Sequence, residues 1–414
     1  MKRLIGCAVV LGCLSYPATT VALLQTGAPV STVNIALKAL FAFVYATILF
    51  VAFWMRRRAP IKSIPLLLFF AVYGTKLLWD ILVFGIEITG YSGIHVLLYF
   101  FVLTALPVTA ICMSTQSLHT PTLHAWILGG LVLSNIALTF QALTGGAGEL
   151  ASLLASRAQV TADDPDRAIL SPLTYGYMGA ALAAFSLARV SLAPGDDVYR
   201  RIGLLTLTFL GLSNLVLGAS RGPFFGLIFA LAVLAWRLTK PAASNEPPRI
   251  LAWGFLGTPT LALFLLATSD KTPTYLFERL FTFADDRSSG LREERDYAFA
   301  GALRDFIESP IFGRHFVGSY DGFYPHNVPL EVLMATGVFG GSLFALAVAA
   351  MFRSTRRVLL GMHYSTATPV VTAAICILFS GLTSGSIHSA PEFWILFALL
   401  TCLGSDKTGT KGNT

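Results

Sequence analysis

Charged side chains are scarce in this sequence. Lys, Arg, Asp and Glu make up only 12 % of the 414 residues, whereas hydrophobic residues make up 55 %. A soluble domain carries about twice that charged fraction. The shortage excludes a water-soluble enzyme and a disordered chain, and long apolar runs fill the sequence instead. The composition therefore indicates a protein that crosses a membrane several times.

Several chemistry-bearing motifs are also missing. The five cysteines lie in or beside apolar runs without CxxC spacing, which indicates neither a disulfide framework nor a zinc site. The seven histidines have no metal-ligand spacing, and Asp285-Asp286 is an isolated acidic pair. The chain has no glycine-rich phosphate loop, no serine-nucleophile motif and no basic-aromatic stripe. We therefore expect no metal, no cofactor and no nucleic-acid partner.

The apolar runs predict an all-α, polytopic fold with about 12 transmembrane helices. They lie near residues 5–24, 35–54, 64–86, 94–113, 123–143, 170–191, 202–219, 222–238, 249–267, 327–350, 367–386 and 390–404. Residues 1–404 then form a single transmembrane helical domain, and the polar residues 405–414 form a tail. Lys2-Arg3 and the apolar run after it also fit a cleaved signal peptide, although a retained first helix keeps the span count even.

Basic residues fall on alternate loops between these runs. They are Lys2, Arg3, Arg56, Arg57, Arg58, Lys62, Arg189, Arg200, Arg201, Arg237, Lys240, Arg249, Arg353, Arg356, Arg357, Lys407 and Lys411. The positive-inside rule places these loops and both termini in the cytoplasm. The opposite side has two long loops, about 144–169 and 268–326, and the second holds a third of the chain's Lys, Arg, Asp and Glu residues. This concentration predicts that the chemistry lies on the outer face.

An arginine occupies a tight turn between two apolar runs, in Ser220-Arg221-Gly222-Pro223. Gly and Pro explain the turn, but they do not explain an arginine at this depth, where the residue is costly. One interpretation is an Arg221 side chain that reaches the membrane interface, and the other is an anion-binding arginine in a cavity.

The long outer loop has a helical pattern over residues 291–308, which ends at Ser309-Pro310. An amphipathic helix there is expected to lie on the outer membrane surface and to roof a cavity. The loop carries six arginines, which are Arg279, Arg287, Arg292, Arg295, Arg304 and Arg314. For any one of them, pairing with a nearby carboxylate is the simpler explanation.

Three further ionisable groups lie at unusual depths. His326 is at the outer face, where a histidine is well suited to take a proton, and Asn327 follows it. Glu331 lies five residues into the next span. Lys76 and Asp80 are four residues apart on one helix face, so they form either a structural ion pair or a substrate contact or proton relay.

Three motifs together resemble a known family. His326-Asn327, nine residues and then Gly337-Val338-Phe339-Gly340 resembles the signature of the O-antigen ligases. Ser220-Arg221-Gly222 resembles a segment common in the wider O-antigen ligase and polymerase superfamily. Ser289-Gly290-Leu291-Arg292, followed by Glu308-Ser309-Pro310-Ile311-Phe312-Gly313, resembles that superfamily's segment leading to Pro-x-x-Gly. The resemblance covers residues 200–350. The first half of the chain supports it only through its hydropathy.

The resemblance implies a metal-independent glycosyltransferase of the bacterial inner membrane, with its active site facing the periplasm. The donor is then a glycan on undecaprenyl pyrophosphate, and the acceptor is lipid A-core or a second lipid-linked glycan. His326 is expected to act as general base or acceptor-positioning residue. Arg221, Arg279 and Arg292 are expected to bind the pyrophosphate, since guanidinium groups suit its charge.

Two alternatives remain open at this stage. A polysaccharide polymerase would use the same site with a different acceptor. A transporter or flippase for lipid-linked oligosaccharides would place its ionisable residues near the middle of the bilayer. Lys76 and Asp80 suit the transporter, whereas Arg221, His326 and the long loop favour the transferase.

Overall fold

The computed structural model describes residues 2–14, 16–25, 30–55, 57–88, 92–114, 120–144, 160–161, 168–192, 197–238, 291–319, 322–360, 364–388 and 390–403. The α-helices are α1 (Lys2–Val9), α2 (Tyr16–Leu24), α3 (Val30–Trp54), α4 (Ile64–Phe84), α5 (Gly93–Leu98), α6 (Leu106–Met113), α7 (Thr120–Thr144), α8 (Pro172–Leu192), α9 (Val198–Gly218), α10 (Arg221–Leu238), α11 (Leu291–Glu308), α12 (Val328–Leu360), α13 (Tyr364–Ser384) and α14 (Pro391–Cys402). A 3₁₀ turn, Ile61–Ser63, precedes α4, and two π-helical segments, Val10–Leu14 and Tyr99–Ala105, follow α1 and α5.

Two short strands depart from the all-helical expectation. Strands β1 (Val160–Thr161) and β2 (Ala168–Leu170) pair antiparallel, with Val160 opposite Leu170. They lie in the segment between α7 and α8, which was predicted as a loop. At two and three residues they are too short to have been recognised from alternating hydrophobicity.

Eight helices in the described part of the chain are long and apolar enough to cross a membrane. They are Ile35–Trp54, Ile61–Phe84, Gly93–Met113, Pro121–Thr144, Val198–Gly218, Arg221–Leu238, Val328–Leu360 and Ala367–Ser384. A ninth is possible if Ile5–Leu14 and Tyr16–Leu23, which meet at 68°, form one span. The chain is thus a multi-pass membrane protein, as predicted. The predicted span 249–267 and the tail 405–414 lie outside the described residues, so the number twelve stays a prediction.

Helix α8, at the predicted span 170–191, is not among these eight, because its many small and polar side chains lower its hydropathy. Every residue from Met178 to Ser186 is buried, and the helix packs against α7, α9, α10 and α13. A Cβ at Gly179 would lie 2.6 Å from the Leu215 backbone nitrogen, so only a glycine permits this close approach of α8 and α9. Small residues let membrane helices pack backbone to backbone. Helix α8 therefore needs small side chains and not the bulky apolar side chains of a lipid-facing helix.

A pair of buried asparagines joins three of these helices. The Asn214 side-chain amide donates to the Asn135 side-chain oxygen at 3.0 Å and to the Asn135 carbonyl at 3.1 Å. The Asn135 amide in turn donates to the Met178 carbonyl at 3.1 Å. Both asparagines are fully buried, and such interhelical hydrogen bonds stabilise helix packing where no water competes for the polar groups.

The bundle has two distinguishable ends. At one end, the Lys62 ammonium donates to the Ser354 hydroxyl at 3.1 Å and to the Leu403 carbonyl at 2.9 Å. The start of α4 and the ends of α12 and α14 therefore meet there, and we name this the Lys62 end. The opposite end, which carries Asp80 and His326, is named the loop end. The division of the connecting segments between these two ends agrees with the alternation of basic loops in the sequence. Which end faces the cytoplasm and which faces the periplasm stays a prediction.

Candidate functional site

Two of the sequence motifs contact each other at the loop end. Helix α12 is interrupted at Gly337, whose φ of 61° and ψ of −160° are not helical. The break turns the backbone amides of Val338 and Phe339 toward the preceding loop, where they donate to the carbonyls of Pro310 and Ile311 at 2.8 and 3.1 Å. The Pro-x-x-Gly segment is therefore docked on the glycine break of the tenth predicted span.

The next part of the loop is held by the ion pair on α4. Lys76 and Asp80 are 2.8 Å apart, and the Asp80 side chain has no exposed surface. The Phe316 amide donates to Asp80 Oδ2 at 3.0 Å, and the His315 ring nitrogen lies 3.4 Å from Oδ1. Lys76 also donates to the Arg314 carbonyl at 2.5 Å. The predicted pairing on one helix face is confirmed, and the pair fastens residues 314–316 to α4.

His326 stands immediately before α12 in a left-handed backbone conformation, with φ at 50°. The side-chain oxygen of Asn327 accepts the Leu330 amide at 3.0 Å, so Asn327 caps the start of α12. The imidazole ring is packed between aromatic rings, with centroids 5.7 Å from Phe323 and 4.5 Å from Tyr324. Cap and rings together set the direction of the half-buried His326 side chain.

Glu331 is a fully buried carboxylate one turn into α12. The Ile387 amide donates to its two oxygens at 3.2 and 3.1 Å, and the Tyr73 hydroxyl donates at 3.2 Å. His388 Nδ1 lies 3.8 Å from Glu331 Oε1. The His388 ring meets the Tyr324 ring edge to face, with centroids 5.2 Å apart. Glu331 is thus linked through His388 and Tyr324 to the residues that pack on His326.

Arg221 is the first residue of α10, at the same end of the bundle. The buried Ser220 before it donates its hydroxyl to the Gly218 carbonyl at 3.1 Å, which stabilises the turn between α9 and α10. A Cβ at Gly222 would lie 2.8 Å from the Thr383 hydroxyl, so α10 begins where α13 ends. The segment that binds Glu331 starts four residues after Thr383. The start of α10 and the start of α12 therefore share the loop end.

The segment that carries most of these elements matches a known protein family. Residues 206–345 match the O-antigen ligase family. This match confirms the resemblance to the O-antigen ligase and polymerase superfamily. No curated protein matches the chain. The matched segment contains Arg221, α11, the Pro-x-x-Gly segment and His326 through Gly337.

Several contacts of the site come from outside this O-antigen ligase segment. Lys76 and Asp80 precede it, and His388 follows it. Sequence reasoning missed His388, since an isolated histidine between two apolar runs has no spacing that marks it. The signal that was available is its position between the last two predicted spans, at the loop end. Its neighbour Ser386 places a hydroxyl 3.1 Å from His388 Nδ1.

Two predicted site residues are not placed by the structure. Arg279 lies outside the described residues, as does the acidic pair Asp285-Asp286. For Arg292 the structure describes the α11 backbone and not the side chain. Their convergence with Arg221 and His326 stays a prediction. Within the described ranges, no group of three or more His, Cys, Asp or Glu residues is arranged to hold a metal ion.

Proposed function

We propose that this protein is a glycosyltransferase that moves a glycan from undecaprenyl pyrophosphate to an acceptor sugar hydroxyl, as an O-antigen ligase acting on lipid A-core. The proposal rests chiefly on one observation. The side chain of His326 is oriented by a capped helix start and two aromatic rings, at the end of the bundle where α10 begins with Arg221. The family match supports the reaction class.

His326 is the proposed general base. It accepts the proton of the acceptor hydroxyl while that oxygen forms a bond to the anomeric carbon of the donor sugar. The bond between this carbon and the pyrophosphate oxygen breaks, and its electron pair leaves with undecaprenyl pyrophosphate. Because attack and departure are on opposite faces, the configuration at the anomeric carbon is inverted.

Arginines are the proposed partners of the pyrophosphate. Arg221, Arg279 and Arg292 supply rigid, permanently charged donors that suit phosphate oxygens and stabilise the charge that develops on the leaving group. Three such groups supply the positive charge that a divalent metal provides in other transferases, so the proposed reaction needs no metal and no cofactor.

The remaining polar residues are proposed to position this centre. Asn327 caps the helix that carries His326, and Glu331 anchors the segment containing His388. Lys76 and Asp80 fasten the loop between α11 and α12. These contacts restrict the loop, and a centre held in place before the substrate arrives loses less conformational freedom in the reaction.

The predicted location follows from the donor. Undecaprenyl pyrophosphate and its glycan lie in the bacterial inner membrane, and we propose that residues 1–404 form one transmembrane domain there, with both termini in the cytoplasm. The loop 268–326 then faces the periplasm and covers the reacting centre. Membrane lipids are partners of the apolar helix surfaces, and lipid A-core or a second lipid-linked glycan provides the acceptor.

Reconstitution with the donor and two acceptors tests the proposal. Undecaprenyl-pyrophosphate glycan is incubated with the protein and either lipid A-core or a second lipid-linked glycan. Products on lipid A-core support a ligase, and longer lipid-linked chains identify a polymerase that uses the same site. Donor movement across vesicles without a new glycosidic bond contradicts a transferase and favours a transporter.

Two substitutions test the assigned roles. His326→Ala and Arg221→Ala should each abolish transfer, because one removes the base and the other a leaving-group partner. His95→Ala and Arg353→Ala replace exposed residues that have no role in the proposed mechanism, and they are the matched controls. Full activity of either site variant removes that residue from the mechanism. EDTA should leave turnover unchanged, and a clear loss would bring Asp285-Asp286 back as metal ligands.

A further inference from the structure

A cleft of about 500 Å³ lies between α11 and the loop that follows it. The helix contributes Tyr297, Gly301, Arg304 and Asp305, and the loop contributes Arg314 and Ser319. Ligand sites in proteins commonly enclose about 300–1,000 Å³, so the cleft has room for a small ligand. None of the roles proposed above uses it.

The register of α11 places this cleft beside an apolar surface. Residues 297, 301 and 304 recur at intervals of four and three, which puts them on one stripe of the helix. A second stripe is apolar and exposed, and it consists of Phe299, Leu303 and Ile307. The stripe continues into Phe312, whose ring lies 5.9 Å from that of Phe339 on the membrane span α12. Such a helix is typical of a membrane surface.

The walls of the cleft are fixed by one buried carboxylate. The Asp305 side chain is only 4 % exposed and lies 3.3 Å from the Arg314 guanidinium. It also accepts the Ser319 amide at 2.8 Å. Helix and loop are therefore joined directly at the floor of the cleft, and a preformed site loses little freedom when it binds.

Among the described lining residues of the cleft and the ion-pair partners shown for them, positive and negative charges cancel. The Arg304 guanidinium donates to Glu308 at 2.8 Å, and Arg314 also pairs with Glu308 as well as with Asp305. The hydrogen bond from Arg304 lowers the pKa of the Glu308 carboxyl, so this group is ionised near neutral pH. Two arginines thus face two carboxylates. The set offers many donors and acceptors without net charge, which suits hydroxyl groups better than phosphate.

We propose that this cleft binds an uncharged sugar unit of the glycan chain, at a subsite separate from the reacting centre. Tyr297, with 59 % of its surface exposed, provides a ring face for the apolar side of the sugar, and the paired side chains meet its hydroxyls. The inference rests on the proposed function for the identity of the chain, which belongs either to the donor or to the acceptor.

The cleft is close enough to the reacting centre for one glycan to occupy both. The Gly318 amide donates to the Phe323 carbonyl at 2.7 Å, and Phe323 precedes His326 by three residues. The Gly318 and His326 Cα atoms are therefore no more than about 17 Å apart, given the reach of an extended chain. A chain of several sugars extends from the cleft to His326.

Filling the cleft tests the proposal. Gly301→Leu adds a side chain to its lining, and Leu favours a helix more than Gly does, so α11 is not weakened. The matched control is Gly203→Leu on α9, where a Cβ meets open space. Tyr297→Ala removes the ring, and Tyr297→Phe retains it. Each full-length variant is placed in lipid nanodiscs with donor and acceptor extracted from the bacterium that encodes the chain.

Steady-state constants and direct binding are then compared. Gly301→Leu and Tyr297→Ala should raise KM for one substrate by about tenfold, which equals about 1.4 kcal/mol, while kcat stays within about threefold. Gly203→Leu and Tyr297→Phe should resemble the wild type. A rise in the donor KM assigns the cleft to the donor glycan, and a rise in the acceptor KM assigns it to the acceptor. The glycan released from the donor by mild acid, and that released from the acceptor, serve as binding probes.

The binding probes separate this inference from the proposed function. If the wild type binds a released glycan that Gly301→Leu no longer binds, the cleft is supported even when no transfer is observed. The inference is overturned if the wild type binds neither glycan. It is equally overturned if Gly301→Leu and Tyr297→Ala keep wild-type KM values and affinities, or if kcat alone falls.

Discussion

Replacing Glu331 decides whether this buried carboxylate supports the site or takes part in the chemistry. Its oxygens accept the Ile387 amide at 3.1 and 3.2 Å and the Tyr73 hydroxyl at 3.2 Å. Glu331→Ala removes the acceptor of two buried donors, and each unsatisfied donor costs about 1–3 kcal/mol. We therefore expect the free energy of unfolding to fall by about 2–6 kcal/mol, with loss of transfer.

Glu331→Gln should behave differently if the role is structural. The amide oxygen has two lone pairs and can accept from both Ile387 and Tyr73. The oxygen then takes the Oε1 position, which both donors reach, and the new NH2 group takes the Oε2 position. With both native donors still satisfied, we expect a smaller loss of stability than in Glu331→Ala, and preserved transfer activity.

Thermal unfolding and glycan transfer are measured on the same purified full-length samples. Glu87→Ala is the control: this exposed glutamate after α4 accepts a long hydrogen bond from the Gly93 amide at 3.4 Å, so stability should change far less than in Glu331→Ala. If Glu331→Gln is as stable as the wild type but inactive, the negative charge itself takes part in the reaction and the positioning role is wrong. An alanine variant with wild-type stability would refute the hydrogen-bond reasoning.

Three further substitutions test the frame around the site. Gly337→Ala should lower stability by at least about 1–3 kcal/mol and impair transfer, because its φ of 61° and ψ of −160° suit glycine alone; an unchanged thermal midpoint would contradict this. Asp80→Asn should loosen the loop after α11, because it removes the charge opposite Lys76. Proteolysis of that loop should then accelerate, and equal cleavage rates would contradict the role of Asp80 in fastening the loop to α4. Asn214→Leu should lower stability by about 1–3 kcal/mol through the unsatisfied Asn135 while leaving both KM values unchanged, and a changed KM would link the asparagine pair to the site.

Local patterns predicted the individual elements well. The helix over residues 291–308 is confirmed at Leu291–Glu308, with Ser309-Pro310 after its end. Lys76 and Asp80 form the predicted ion pair, because a separation of four residues on one helix needs no knowledge of the fold. Helix ends were less predictable. Helix α12 continues to Leu360, ten residues past the predicted span, since hydropathy marks the apolar stretch and not where helical hydrogen bonding stops.

Contacts between distant segments were beyond prediction. Ile387 and His388 bind a carboxylate that lies more than fifty residues earlier, and no periodicity relates the two. The Gly337 break was visible as part of a motif, but its reason is the docking of the Pro-x-x-Gly segment on the opened backbone. The cleft on α11 likewise depends on the loop that returns to Asp305.

Hydrophobicity and short-range spacing alone determined that this chain is a helical, multi-pass membrane protein and which residues resemble the O-antigen ligase motif. These properties are set by the transfer of each segment into lipid and by neighbours along one helix. The tertiary structure decided which polar groups meet at the loop end and why the motif glycine is required. It also created the cleft, because buried donors and acceptors find partners only when helices far apart in sequence pack together.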